Sequence, residues 1–230
     1  MAARFAKPQG ITLVGAGTPT RAALRRALTR APHLVAADGG ADAALAFGFT
    51  PDLAVGDFDS VSPRAPETLG AARLHHDPDQ ETTDFDKVLA AIEAPLLIAV
   101  GFSGGRMDHS LAAMSTLAQN PHRRLVMDTG DDLCLICPPH LTLSLPADCR
   151  VSLYPLAPVR CASTGLRWPT DHLFFDPLGR IGTSNAAAGG PVTLSASGPQ
   201  MLLLLPVDQL DALTDGWADA PLWPAPAHAQ

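Results

Sequence analysis

The hydrophobic rhythm of this chain changes near residue 130, and that change limits what it can fold into. Before it, apolar runs of strand length alternate with stretches spaced like helices. Parallel strands need a crossover of a dozen or more residues, usually a helix, so this alternation implies a parallel α/β sheet. Beyond residue 130, prolines bound short apolar runs at 141–145, 151–154, 173–175, 192–196 and 201–205, with no long helical pattern between them. That pattern implies an all-β unit, a sandwich or partial barrel. The expected architecture is an N-terminal parallel α/β domain over residues 1–130 and a C-terminal β-sandwich over 131–220. The run 133–137 fits either half, and the Pro/Ala-rich segment 221–230 reads as a frayed tail.

Within the first half, 11–14 is a strand ending in Gly15-Ala16-Gly17. Thr18 then caps a helix with Pro19 at its first position and Leu24 and Leu28 on one face. A second strand at 34–37 is followed by Asp38-Gly39-Gly40 and a helix that Gly48 stops. The run 53–55 leads directly into Gly56-Asp57-Phe58-Asp59-Ser60, and 73–75 is a short strand. Residues 83–91 have helical spacing, with Phe85, Val88, Leu89 and Ile92 apolar. A strand at 96–100, a helix at 106–117 and a strand at 125–127 complete this half.

Composition narrows the functional classes. The chain has 230 residues, 47% of them hydrophobic and 17% charged, which are globular values. A net charge of −7 argues against a basic face for a phosphate backbone, so nucleic acid is not an expected partner. A single nucleotide stays open, because a divalent metal can bridge its phosphates to carboxylates. No apolar run approaches the ~18 residues needed to cross a bilayer, and no signal peptide is read at the N-terminus. A cytoplasmic protein without membrane association is expected. Four cysteines fit that compartment. Cys134-Leu135-Ile136-Cys137 lacks a second close pair for zinc and reads as a buried strand. Of 16 basic residues only Lys7 and Lys87 are lysines, so Lys87, inside a motif, stands out.

Ligands of open parallel sheets bind beyond the carboxyl ends of the strands. Four polar segments fall at such ends: 15–17, 38–40, 56–60 and 101–105. Asp57 and Asp59 are two apart on extended backbone, so their carboxylates share a side and suit a hard cation such as Mg²⁺. A plain acidic turn would look the same. Asp84 adds a third carboxylate at a helix start, with Lys87 three residues on; an intrahelical ion pair is the simpler alternative. Gly104, Gly105 and Arg106 precede Asp108 and His109 at another helix start, where free N–H groups and a guanidinium suit an anion. Together the set describes a soluble Mg²⁺-dependent enzyme that moves phosphate groups from ATP to a small alcohol.

These segments resemble the thiamine pyrophosphokinase (thiamine diphosphokinase) family. The resemblance rests on Ala37-Asp38-Gly39-Gly40-Ala41, Pro51-Asp52, Gly56-Asp57-Phe58-Asp59-Ser60, Asp79-Gln80, Thr83-Asp84-Phe85 with Lys87, and Gly104-Gly105-Arg106-Met107-Asp108-His109. In the second half, Gly165-Leu166-Arg167-Trp168 and Thr183-Ser184-Asn185 look like the family's thiamine-side motifs. The family has an N-terminal α/β domain and a C-terminal β-sandwich. Its members are usually homodimers with active sites near the subunit interface. The resemblance implies transfer of pyrophosphate from ATP to thiamine, giving AMP and thiamine diphosphate. By position it implies that Asp57, Asp59 and Asp84 hold Mg²⁺. Lys87, Arg106 and Asp108 would serve the transfer, and Asp38, Gln80, Thr83, Gly104, Gly105 and His109 would line the nucleotide. Trp168 would stack on thiamine, and Ser184 and Asn185 would hydrogen-bond its pyrimidine edge. Without the resemblance, Trp168 reads as a core tryptophan of the β unit. Departures are Asp42, where many members have Asn, and Ala186, where many have Glu. Rival readings are a pyrophosphokinase for another hydroxymethyl heterocycle such as a pterin, a metal-dependent phosphohydrolase, and a non-catalytic nucleotide- or thiamine-binding module.

Overall fold

The segments Ile11–Val14 and Leu97–Val100 are buried at every position and pair in parallel. Strands covered on both faces read as continuous apolar runs, which is why neither alternates. In the computed structural model, which describes residues 5–59 and 61–226, the chain forms two compact units. One comprises Met1–Thr116 with Met127–Gly130, the other Leu117–Val126 with Asp131–Gln230.

In the first unit a second parallel set runs through His33–Ala37, Leu53–Gly56 and Leu74–His76 in that order. Phe5–Ala6 pairs in parallel with Ile92–Glu93, so Ile92 belongs to a strand and not to the preceding helix face. Helix α1, Arg21–Arg30, buries Ala23, Leu24 and Ala27. Its cap is Thr20, whose hydroxyl accepts from the Ala23 N–H, and not Thr18. Thr18 instead donates to the Ser103 carbonyl at 3.0 Å, and Pro19 precedes the cap. Helix α2, Gly40–Ala46, ends before Gly48 at φ +83°. At Gly40 a β-carbon would lie 2.0 Å from the Val14 carbonyl oxygen, so this helix can approach the sheet only with glycine there. Helix α3, Arg64–Leu69, carries Pro66 and gave no readable helical pattern. Helix α4, Asp84–Ala91, opens with a Thr83/Asp86 capping box. Helix α5 is Met107–Gln119.

The second unit is antiparallel. One set runs Gly182–Ala186, Arg150–Pro155, Met201–Pro206, Asp132–Ile136, and another runs Leu141–Leu145, Gly190–Ala196, Val159–Thr164, Phe174–Phe175. Helix α6, Leu210–Trp217, buries Leu210, Leu213 and Trp217. The strands Val159–Thr164 and Gly182–Ala186 and helix α6 were not apparent from periodicity. Trp223, in the segment expected to fray, donates its indole N–H to the Cys137 carbonyl at 2.9 Å. Residues 227–230 of that segment lie outside the described residues. The architecture is α/β plus β-rich. Among the described residues, no helix is long and apolar enough to cross a membrane.

Two buried features give measurable consequences. The Asp128 side chain is fully buried and is gripped by Nε and Nη2 of Arg26, at 2.7 to 3.0 Å. Arg26→Met would strand that carboxylate, and a loss of about 3–5 kcal/mol in urea unfolding is expected. All four cysteines are free and buried, and burial pushes the Cys134 thiol up to about 12. A thiol reagent at pH 8 should label none in the native protein and all four after unfolding.

Candidate active site

The parallel strands of the first unit deliver their ends to a cleft of about 660 Å³. Asp38, Asp57, Asp59, Gln80, Thr83, Asp84, Lys87, Gly104, Gly105, Arg106 and His109 all line it. Asp57 follows strand Leu53–Gly56, Asp38 follows His33–Ala37, and Asp84 and Lys87 come from the first turn of α4. Ser60 lies outside the described residues.

Lys87 is almost completely buried, with its ammonium 3.5 Å from Asp57 Oδ2 and 3.7 Å from Asp84 Oδ1. Gln80 donates to the same Asp57 oxygen at 2.9 Å. That hydrogen bond, the Asp59 backbone N–H and the Lys87 charge hold the Asp57 carboxyl down at about 2. Asp59 moves the other way, because the Asp57 charge beside it disfavours a second anion. Asp84 is also raised, chiefly by burial and then by the Asp38 charge. Oxygens of Asp38, Asp57 and Asp59 all lie within 4.8 Å of one another. That three-carboxylate group contains Asp38, while Asp84 pairs with Lys87. Hard oxygen donors so placed suit a small divalent cation.

Backbone conformation is strained where these carboxylates meet. Asp38 and Phe58 both have positive φ, at 43° and 62°, and Asp38 Oδ1 accepts from the Phe58 N–H at 3.0 Å. Left-handed non-glycine residues cost about 1–3 kcal/mol each and persist where the surroundings over-determine them. Here the Asp38 N–H is held by the Val55 carbonyl at 2.8 Å. A β-carbon at Gly56 would meet Asp38 at 3.0 Å, so the turn between the strand and Asp57 also needs a glycine.

Two glycine loops interlock at the other side of the cleft. Gly17 donates to the Gly101 carbonyl at 2.8 Å, and a β-carbon at Gly15 or Gly17 would lie 2.7 Å from that oxygen. Gly104 and Gly105 have φ of +83° and +69°, and the Gly104 N–H donates to Ser110 Oγ. Arg106 is exposed and doubly bonded to Asp108, at 3.1 and 2.5 Å. Asp108 also accepts from the His109 N–H. The Thr83 hydroxyl is engaged by Asp86 in the capping box. Phe102, which the sequence reading passed over, lines the cleft and stacks on Phe85 with ring centroids 4.1 Å apart. Its place inside the glycine loop was the available signal.

Trp168, Ser184 and Asn185 belong to the second unit. Trp168 is 56% exposed, so it is not a core tryptophan; the buried one is Trp217. Ser184 has φ +63° and its N–H donates to Ser152 Oγ. Asn185 is buried and bonded to the Trp168 backbone.

A β-carbon at Gly104 would lie 2.0 Å from Thr18 Oγ1. Gly104→Ala should therefore lower thermal stability by at least about 1 kcal/mol, and a Thr18→Ala/Gly104→Ala double variant should recover part of it.

Fold and site define a class: an α/β protein with an acidic, glycine-lined cleft beyond the carboxyl ends of parallel strands. Residues 24–127 match the family model of the thiamin pyrophosphokinase catalytic domain. Over 156 residues, 60% of this chain, the sequence is 30% identical to thiamine pyrophosphokinase 3 of Oryza sativa subsp. japonica. It is 31% identical over 157 residues to thiamine pyrophosphokinase 1 of the same plant. The matched part spans 58% and 59% of those relatives' own lengths. The fold is similar to thiamin pyrophosphokinase from Candida albicans, with a TM-score of 0.73, 18% identity, and 86% of this chain and 89% of that one covered. The Bacillus subtilis thiamine pyrophosphokinase gives 0.70 and 19%, with 86% and 98% covered. Over these residues the chain is similar to the thiamine pyrophosphokinase family, the same family that its motifs resemble.

Proposed function

We propose that this protein transfers a pyrophosphoryl group from ATP to the hydroxyl of thiamine, yielding thiamine diphosphate and AMP. The observation that carries the reading is the gathering of Asp38, Asp57 and Asp59 around one small volume beside the buried Lys87. With Asp84 included, four carboxylates face one ammonium, a balance that would repel a polyphosphate. Oxygen donors in that excess fit Mg²⁺, and Asp38, Asp57 and Asp59, with Asp84 beside them, are the residues that would hold it. Bound there, the cation supplies charge neutralisation and orientation of the phosphates.

The protein's own groups do the rest. Gln80 and Lys87 keep Asp57 ionised, so a cation meets an anion and not an acid. Lys87 offers positive charge to phosphoryl oxygens, and Arg106 can do so by exchanging Asp108 for phosphate. At the Gly104-Gly105 turn the Gly104 N–H is taken by Ser110 Oγ, which leaves the Gly105 N–H as the donor suited to an anion. The thiamine hydroxyl oxygen bonds to the β-phosphorus and releases its proton to solvent, the bond from that phosphorus to the α–β bridging oxygen breaks, and AMP departs with the electron pair. Fixed charge at these oxygens stabilises the transition state with no rearrangement at the moment of reaction.

In this reading the first unit is the parallel α/β catalytic domain, about residues 1–130, with His109 and Gln80 at the nucleotide. The second is a β-sandwich, about 131–220, where Trp168 stacks on the cationic thiamine and Ser184 meets its pyrimidine. The protein works in the cytoplasm as a homodimer.

Incubation with ATP, Mg²⁺ and thiamine, followed by nucleotide separation, should show AMP formed in step with thiamine diphosphate. Formation of ADP, phosphate release independent of thiamine, or no turnover would each refute the proposal. Asp57→Asn and Asp59→Asn should each lower kcat by at least about 10²-fold with an unchanged circular dichroism spectrum.

Cation binding also carries a pH signature. The raised carboxyls of Asp59 and Asp84 cost stability once ionised, above their folded pKa, and this cost disappears below the unfolded value near about 4. Asp57 is depressed, so its stabilisation is present above about 4 and fades toward pH 2. Mg²⁺ should therefore raise the melting temperature at pH 7.5, where repulsion is present, and have little effect at pH 4. An equal rise at both would remove the carboxylates from the cation site.

A further inference from the structure

Asn185 lies on strand Gly182–Ala186, is 7% exposed, and spends its side chain on backbone. Its Oδ1 accepts from the Trp168 N–H at 3.2 Å and from the Ala186 N–H at 2.8 Å. Its Nδ2 donates to the Trp168 carbonyl at 2.7 Å. Both lone pairs of the amide oxygen are thereby used. The amide orientation is dictated by chemistry: two N–H donors need the oxygen, and a carbonyl needs the nitrogen. Only a primary amide on a short stem satisfies all three. Asp cannot donate, and Ser lacks the reach.

The neighbouring contacts repeat the theme. The Arg167 N–H donates to the Ala186 carbonyl at 2.8 Å, the Ala188 N–H to the Gly165 carbonyl at 2.8 Å, and the Thr170 N–H to buried Ser163 Oγ at 3.1 Å. Between these ties Trp168 has its own N–H and carbonyl held by one side chain, while its indole stands exposed. An aromatic face presented on immobilised backbone loses little freedom when a ligand stacks on it.

We infer that Asn185 is a positioning residue: it clamps the backbone of Trp168 so that the indole is presented as a fixed platform, and it serves the ligand through Trp168 and not by touching it. This rests on the proposal that Trp168 stacks on thiamine.

The test compares wild type, Asn185→Ala, Asn185→Asp, Trp168→Ala and the Asn185→Ala/Trp168→Ala double variant. In Asn185→Ala, hydrogen exchange at the Trp168 amide should accelerate about tenfold without ligand, while the Arg150–Pro155 strand keeps its protection. The KM for thiamine should rise about tenfold, with the KM for ATP and kcat altered less than about twofold. Asn185→Asp keeps both N–H acceptors but loses the donor to the Trp168 carbonyl; it supplies the same readouts should the alanine variant not fold, and it should not restore wild-type KM. In the Trp168→Ala background, Asn185→Ala should add no further loss for thiamine. Additive losses would mean direct contact and overturn the inference, as would unchanged exchange at Trp168. If wild type neither binds nor converts thiamine, the proposed function fails, and the exchange measurement still decides the clamp.

Discussion

One buried charge organises the first unit. Lys87 has lost nearly all its water, and an ammonium so placed is tolerable only beside anions that repay the desolvation. Asp57 and Asp84 do this, and Asp57 is further secured by Gln80. Once Asp57 is committed, Asp38 and Asp59 crowd the same volume and oppose one another. The result is a site with excess negative charge in a protein that is already acidic. Such an excess of carboxylate suits a cation and disfavours bare phosphate. The functional proposal depends on that imbalance more than on any single residue.

Strain and close packing keep the carboxylates in place. Asp38 and Phe58 stay in left-handed conformations because a hydrogen bond joins them and the Val55 carbonyl fixes Asp38 from behind. Across the cleft, Gly17, Gly101 and Gly104 permit two loops and Thr18 to approach within distances no side chain would allow. Rigid backbone on both sides is what electrostatic preorganisation requires. A comparable economy holds at Trp168, whose backbone is tied by Asn185 while its ring faces solvent.

Much of this was legible in the sequence because it depends on local spacing. The period of two put Asp57 and Asp59 on one side, and the glycine loops marked strand ends. The helix of residues 84–91 announced itself through its apolar face, with Thr83 and Asp86 forming its cap. Other features were illegible for physical reasons. Pro19 pointed to Thr18 as the cap, but the Thr18 hydroxyl is engaged by the Ser103 carbonyl across 85 residues, and Thr20 caps the helix instead. Helix α3 contains a proline, which weakens any helical signature. Strand Gly182–Ala186 is mostly small and polar, with little hydrophobic pattern to read.

The sequence by itself determined most elements of the first half, the switch from α/β to β-rich structure, and the identity of the chemical groups, because these follow from periodicity and residue type. Tertiary structure alone decided that Asp38 joins Asp57 and Asp59, and that Lys87 reaches Asp57 as well as Asp84, its neighbour on the helix. It also decided that Trp168 is exposed and Asn185 buried behind it. Those outcomes depend on distances between residues far apart in the chain, and on the competition for hydrogen bonds and charge that begins only when they meet.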